Sequence, residues 1–126
     1  MKANSSANSF IELWPGEIKV TGWYNRLLKN GYHTAHIHPS GWLSGVIYLR
    51  TVDPSDSDEG SIEFSLHGYD LPIIDENYPR KVHRPKKGDL ILFPSSLFHR
   101  TVAFTQEGER CVVAFDITQK QNLMSR

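Results

Sequence analysis

The chain has 126 residues, a length that fits one domain, and its 39% hydrophobic and 22% charged residues are typical of a soluble globular protein. Fourteen basic side chains balance fourteen acidic ones, which argues against a general binder of nucleic acid or acidic membranes. Cys111 is the single cysteine, which excludes an intrachain disulfide, and with no apolar leader and no run of about 18 apolar residues we expect a cytoplasmic protein.

Short strands separated by turns are predicted along most of the chain. Residues 1–9 are small and polar, so we expect a disordered or non-native lead before a domain at 10–118 and a polar tail at 119–126. Apolar and polar residues alternate over 18–26, which predicts a strand. Many short strands and no long amphipathic helix indicate an all-β sandwich or barrel. Further strand-like runs follow at 33–38, 42–49, 61–66, 90–93, 99–104 and 110–117, with irregular connections at 51–60 and 67–85.

Two of these segments carry features that suggest close contacts. Gly45 stands inside the apolar run 42–49, where a glycine indicates close approach by another backbone or by a ligand. The connection 67–85 is long for a compact domain, and such loops are more often functional than idle. Tyr69 and Tyr78 on this loop are therefore the candidates for substrate contact.

Three of the six histidines stand where metal ligands could meet. His36 and His38 are two residues apart, so on a strand they point to the same face, with His33 on the opposite face. His99 follows an apolar strand and a Pro-Ser-Ser break, and it would complete a facial triad if the two segments lie side by side. Imidazole suits iron, zinc, copper or nickel, although a His-x-His pair alone is more often a surface or structural feature. We interpret the combination as a metal site.

Arg110 opens the last apolar strand, eleven residues after His99. A guanidinium at the mouth of an apolar strand needs a partner, and a bound carboxylate fits its bidentate geometry. Glu109 is the nearest acid, but neighbours on a strand point to opposite faces, so it cannot easily follow Arg110 inward. The sequence therefore predicts an anion site close to the histidines.

Three stretches, 36–49, 85–102 and 109–117, resemble the 2-oxoglutarate/Fe(II)-dependent oxygenase superfamily, in particular a group with H-x-H-P, GDLILFPS, a later His and an ER pair. The resemblance spans residues 17–117 and implies a double-stranded β-helix, also called a jelly roll. It also implies an oxidoreductase that uses Fe(II) and the cosubstrate 2-oxoglutarate to hydroxylate an unidentified small molecule or peptide.

The same resemblance implies a role for each matching residue. His36 and His99 would bind iron, and Arg110 would bind the distal carboxylate of 2-oxoglutarate. His38 would be the third ligand, a position at which most such oxygenases have Asp or Glu. Val112 stands where the family commonly has a serine that helps to hold the cosubstrate. The missing hydrogen bond is then expected from Tyr24, Asn25, Tyr48 or Ser95.

Two alternatives remain open. A cupin-type dioxygenase with three histidines and no 2-oxoglutarate would explain His38, but residues 39–46 lack the acid that cupins usually carry there. A non-catalytic jelly-roll protein could keep a metal for structure. A homodimer is possible, and we expect no nucleic-acid or membrane partner. The remaining histidines and the basic run at 80–87 are most simply solvated, although the basic run could attract an anionic substrate.

Overall fold

The computed structural model describes residues 8–54 and 56–120, which form two four-stranded antiparallel sheets and a single helical turn. The strand-length apolar runs and the turns between them account for this architecture, and the predicted all-β fold is confirmed. The elements in chain order are α1 (Ser9–Glu12), β1 (Ile18–Leu28), β2 (His33–His36), β3 (Leu43–Arg50), β4 (Ile62–Ser65), β5 (Arg80–His83), β6 (Leu90–Pro94), β7 (Phe98–Thr101) and β8 (Glu109–Gln119).

Consecutive strands lie in opposite sheets, except that β4 and β5 pair with each other in the second sheet, and this arrangement is that of a double-stranded β-helix. The first sheet has the order β1-β8-β3-β6 and the second has the order β2-β7-β4-β5. The pair β1–β8 runs without interruption over eleven residues on each strand. This long ladder fixes the register of the strand that carries Arg110, so its even-numbered residues point between the sheets.

The core lies between the sheets and is small. Each buried apolar side chain contributes about 1.5–3 kcal/mol to stability. Strands β3, β6 and β8 supply the core from the first sheet, and β4 supplies it from the second. The core residues with little exposure are Val46, Tyr48, Ile62, Phe93 and Val112.

The outer face of the first sheet is also apolar, but it is exposed. Charge on this face is concentrated at one end, where Glu109 pairs with Arg26 and Arg50. The predicted homodimer stays a prediction. The exposed apolar side chains on the face include Val20, Tyr24, Ile47, Leu90 and Leu92.

The structure departs from the sequence prediction at two elements. Strand β5 lies inside the connection 67–85 that was predicted to be irregular, because its four residues pair with β4. The helical turn α1 begins at Ser9, where the side chain of Asn8 accepts a hydrogen bond from the backbone N–H of Phe10. The rest of the predicted lead, residues 1–7, and most of the predicted tail, residues 121–126, lie outside the described residues. Among the helices of the described residues, none is long and apolar enough to span a membrane.

Candidate active site

The structure brings His36, His38 and His99 together between the two sheets. His36 on β2 lies directly opposite His99 on β7, and such pairs point to the same face. The ring centroids of this pair are 4.4 Å apart, and the ring of His38 lies 5.3 Å from His36 and 5.0 Å from His99. One nitrogen from each ring lies within 4.8 Å of the other two. The three rings therefore form one cluster of donors.

Hydrogen bonds to the Nδ1 atoms fix which nitrogen of each ring faces the centre. Nδ1 of His36 lies 2.6 Å from the carbonyl oxygen of Thr34, and Nδ1 of His99 lies 3.0 Å from that of Leu97. Because a carbonyl oxygen only accepts, both Nδ1 atoms carry a proton, which in a neutral ring leaves the lone pair on Nε2. Nδ1 of His38 likewise donates to a carboxylate. All three Nε2 lone pairs are thus free to bind a cation.

The spacing of the Nε2 atoms fits a metal ion. Those of His36 and His38 are 3.3 Å apart, so in the neutral Nδ1–H rings two lone pairs face each other and repel unless a cation lies between them. Two ligands about 2.1 Å from a metal and at right angles would be separated by about 3 Å. The donor set therefore suits an ion that accepts imidazole, such as Fe(II).

Burial keeps His99 neutral, as a metal ligand must be. The side chain is buried beside the ring of Phe93, with the centroids 4.6 Å apart. This burial lowers the pKa of His99 to about 4, against a smaller opposing effect of its hydrogen bond to the Leu97 carbonyl. At neutral pH no proton on His99 competes with a metal.

Asp116 supports His38, and sequence reasoning missed it. Its Oδ1 and Oδ2 atoms lie 2.8 and 3.0 Å from Nδ1 of His38, and Oδ1 also accepts a hydrogen bond of 2.6 Å from Ser44. Ser44 in turn bonds to Ser95 at 2.8 Å. The sequence contained a signal for it, because Asp116 is six residues from Arg110 on the same strand and must therefore point to the same inward face.

Arg110 lies in the same cavity as the histidines and is 3% exposed. Its Nη2 donates to the Tyr48 hydroxyl at 3.3 Å, while its buried Nε has no hydrogen-bond partner among the described residues. Glu109 points to the outer face, as predicted, and pairs there with Arg26 and Arg50. A buried guanidinium with an unused donor suits an anion, because leaving it unpaired is costly.

The cavity that joins the histidines to Arg110 has a volume of about 160 Å³. Asn25 lines it, and its Nδ2 lies 3.2 Å from Nε2 of His33, which also lines it. The prediction that His33 points to the opposite face from His36 was wrong, because the pairing of β2 with β7 shifts register between these two residues. A larger groove of about 530 Å³ opens between β5 and β6 and contains none of the three clustered histidines.

The other residues proposed to hold a cosubstrate lie in different places. Tyr48 is fully buried and reaches the cavity through its hydroxyl contact with Arg110, and burial raises the pKa of that hydroxyl. Ser95 is buried behind His38, bonded to Ser44. Tyr24 lies on the outer face of the first sheet and is 60% exposed, so it does not face the cavity.

The loop after β4 passes close to the cluster. The Tyr69 hydroxyl contacts the backbone N–H and carbonyl of Ile37 at 3.2 and 3.3 Å, between two of the clustered histidines. Tyr78 instead lies under the guanidinium of Arg80, 4.3 Å from it. His67 bonds to the Leu71 carbonyl. Of the two tyrosines, Tyr69 is thus the one beside the cluster.

Comparison with known proteins yields a family match. Residues 21–116 match the model of a family described as "Putative 2OG-Fe(II) oxygenase". No curated protein matches the chain.

Several solved structures share the fold. They include an oxidoreductase of the 2OG-Fe(II) oxygenase family from Burkholderia pseudomallei (20% identity, TM-score 0.63, 82% of this chain and 46% of that one). HygX from Streptomyces hygroscopicus, crystallised with nickel and 2-oxoglutarate, is 16% identical (TM-score 0.63, 82% and 58%). A prolyl-4-hydroxylase from Pseudomonas putida is 14% identical (TM-score 0.64, 95% and 62%). The chain thus spans about half to three-fifths of the length of these proteins.

Proposed function

Because the chain belongs to the 2OG-Fe(II) oxygenase family, we propose that it is an Fe(II)- and 2-oxoglutarate-dependent dioxygenase that hydroxylates a small molecule or a peptide. The Nε2 atoms of His36, His38 and His99 would hold the iron, and Arg110 would bind the distal carboxylate of 2-oxoglutarate. When bound, iron and cosubstrate supply the oxidising chemistry, and the protein positions and shields them.

The observation that carries this proposal is the shared cavity of Arg110 and the histidine cluster. A carboxylate on Arg110 would use the free Nε and form charge-assisted hydrogen bonds, which are stronger than neutral ones. The cluster lies in the same cavity, so one small dianion can reach from the guanidinium to a metal. 2-Oxoglutarate has carboxylates at both ends and an oxo group beside one of them, which fits this arrangement.

The cavity also selects by size and polarity. Its volume of about 160 Å³ is below the roughly 300–1,000 Å³ of sites for drug-sized ligands, so it suits a compact ligand. Val46, Phe93 and Val112 line part of the cavity with apolar surface, which strengthens charge interactions inside. Asn25 would donate to the cosubstrate in place of the missing serine, while Tyr48 would hold the guanidinium of Arg110.

The test of the proposal is cosubstrate binding by Arg110→Ala. Calorimetry under nitrogen of the Mn(II)-loaded protein is expected to show 2-oxoglutarate binding by the wild type. The Arg110→Ala variant should lose about 2–5 kcal/mol of that binding energy, the usual cost of truncating one partner of a buried charge pair. Metal binding should remain, because Arg110 makes no hydrogen bond to a clustered histidine.

Arg26→Ala is the matched control, because it removes an arginine from the exposed outer face and should leave 2-oxoglutarate binding unchanged. Equal binding by the wild type and Arg110→Ala, or binding by neither, would contradict the proposed cosubstrate site.

A second candidate is a three-histidine metal dioxygenase that does not use 2-oxoglutarate. The observation that favours it is the neutral third ligand, His38, in the cluster. In that case the loaded protein would consume O2 with a substrate while calorimetry detects no 2-oxoglutarate binding. A protein that consumes no O2 with any metal would instead be a non-catalytic metal-binding jelly roll.

A further inference from the structure

His38 is held differently from the other two clustered histidines. His36 and His99 belong to strands, and the Nδ1 atom of each donates to a neutral backbone carbonyl two residues away. His38 lies beyond the end of β2, where no strand ladder fixes it. The orientation of its ring depends on the hydrogen bond from Nδ1 to Asp116, which comes from the opposite sheet. The clustered histidine that lies outside the strands therefore has a charged side-chain partner, whereas the other two have neutral backbone partners.

The carboxylate of Asp116 is held in place by buried neighbours. Its side chain is 14% exposed, and Ser44, itself 1% exposed, donates to Oδ1 at 2.6 Å. The fully buried Ser95 bonds to Ser44 and accepts the backbone N–H of His38 through its own carbonyl at 2.9 Å. Gly41 packs so closely on Ser95 that a Cβ there would overlap its hydroxyl. The carboxylate is thus fixed toward His38 by contacts that leave little room for movement.

The charge of Asp116 is directed at the cluster. Among the described ion pairs its one partner is His38, and no lysine or arginine neutralises it. Three neutral imidazoles leave the double positive charge of a metal ion uncompensated. A carboxylate hydrogen-bonded to one of these ligands supplies negative charge and raises the basicity of that ligand.

We propose that Asp116 is a positioning residue for the metal centre. It fixes the Nδ1–H form of His38, aims Nε2 of that ring at the metal and supplies the negative charge that three neutral imidazoles lack. This inference rests on the proposed metal site, but it does not depend on the use of 2-oxoglutarate.

The experiment measures Co(II) binding without 2-oxoglutarate, by titration and by the visible absorption of the bound ion. Asp116→Ala should weaken Co(II) binding about 10- to 100-fold, the usual cost of losing such a partner, and should alter the absorption bands because the ring of His38 is released. Asp116→Asn should lose less affinity and keep bands close to those of the wild type, since its amide oxygen still accepts the Nδ1–H. Asp58→Asn, the same change at an exposed carboxylate paired with Arg84, should leave binding unchanged.

Unfolding of the metal-free protein separates positioning from a structural role. A structural role would lower the stability of the metal-free variants while leaving Co(II) affinity and absorption unchanged, and that result would overturn the inference. If Asp116→Ala does not fold, Asp116→Asn and Ser44→Ala carry the test, and wild-type Co(II) affinity in both would equally overturn it.

Wild-type protein that binds Co(II) but not 2-oxoglutarate would contradict the proposed oxygenase and leave Asp116 in its role. Failure of the wild type to bind Co(II) would overturn both.

Discussion

At the scale of single residues, Asp89 shows how one carboxylate organises a turn. Its Oδ2 accepts the backbone N–H of Lys86 at 2.8 Å and lies 3.1 Å from Nε2 of His83. The Lys86 amide first, and His83 second, lower the pKa of Asp89 below its ordinary value although the side chain is accessible. The ionised form of Asp89 therefore stabilises the turn that leads into β6.

We expect Asp89→Asn to destabilise the protein at neutral pH and to have less effect in acid. As the pH falls below the ordinary value of 3.8, the unfolded state takes up a proton before the folded state does, so the contribution of Asp89 to stability is lost as the pH approaches its lowered pKa. Urea unfolding of wild type and variant from neutral pH to about pH 3 measures the difference. A difference that stays constant into acid would contradict this account, and Glu76→Gln on the exposed loop serves as the control.

The candidate ligands could be predicted from the sequence, but their surroundings could not. The spacing of His36 and His38 and the late position of His99 pointed to a cluster, although β2 ends at His36 and strand alternation is not what places His38. Asp116 was missed because its contact with His38 spans 78 residues and depends on which strands pair. A local sequence pattern indicates the spacing of residues and the face of the strand to which they point. A contact between distant strands depends instead on the register of their pairing and on bulges.

At the scale of elements, Phe115 of β8 lies between two glycines on neighbouring strands. It pairs with Gly22 of β1 on one side and with Gly45 of β3 on the other. A Cβ at Gly45 would overlap the Phe115 ring, whereas one at Gly22 would meet the nearest atom, the carbonyl oxygen of Ala114, at 3.4 Å. The group that closely approaches Gly45, as the glycine indicated, is therefore the aromatic ring of Phe115 on the adjacent strand.

Gly45→Ala should destabilise the protein by about 1 kcal/mol, the low end of the range for overpacking, because the ring of Phe115 can swing toward the exposed face. Gly22→Ala changes the same residue type on the partner strand and should cost less, since the added Cβ would meet its neighbours at ordinary van der Waals distances. Chemical denaturation of the two variants provides the comparison. Equal losses would show that backbone effects, and not the packing of Phe115, decide both.

Short, exposed strands are the elements that sequence patterns miss. Strand β5 has four residues between Pro79 and Pro85, and three of the four are exposed, so no apolar alternation marks it. Its extended form depends on pairing with β4. The longer strands were predicted because the residues of β1 alternate over many positions and because β3 and β8 are continuous apolar runs of strand length.

At the scale of the whole molecule, the candidate metal centre joins the two sheets. His36 and His99 come from the sheet of β2 and β7, whereas Asp116 anchors His38 to β8 in the other sheet. The all-β class followed from the strand pattern. The order β1-β8-β3-β6 pairs strands that are far apart along the chain, and periodicity within a strand does not identify its partner.

A metal bound at this junction should stabilise the entire fold. An ion that binds the folded state and not the unfolded chain adds about 2.7 kcal/mol at a free concentration 100 times its Kd. We therefore expect Mn(II) or Zn(II) to raise Tm by several degrees, as measured by calorimetry or circular dichroism with and without a chelator. His99→Ala should abolish the increase, because one of the three converging nitrogens is lost. His67→Ala removes a histidine outside the cluster and should retain it. An equal increase in both variants would place the stabilising metal elsewhere on the protein.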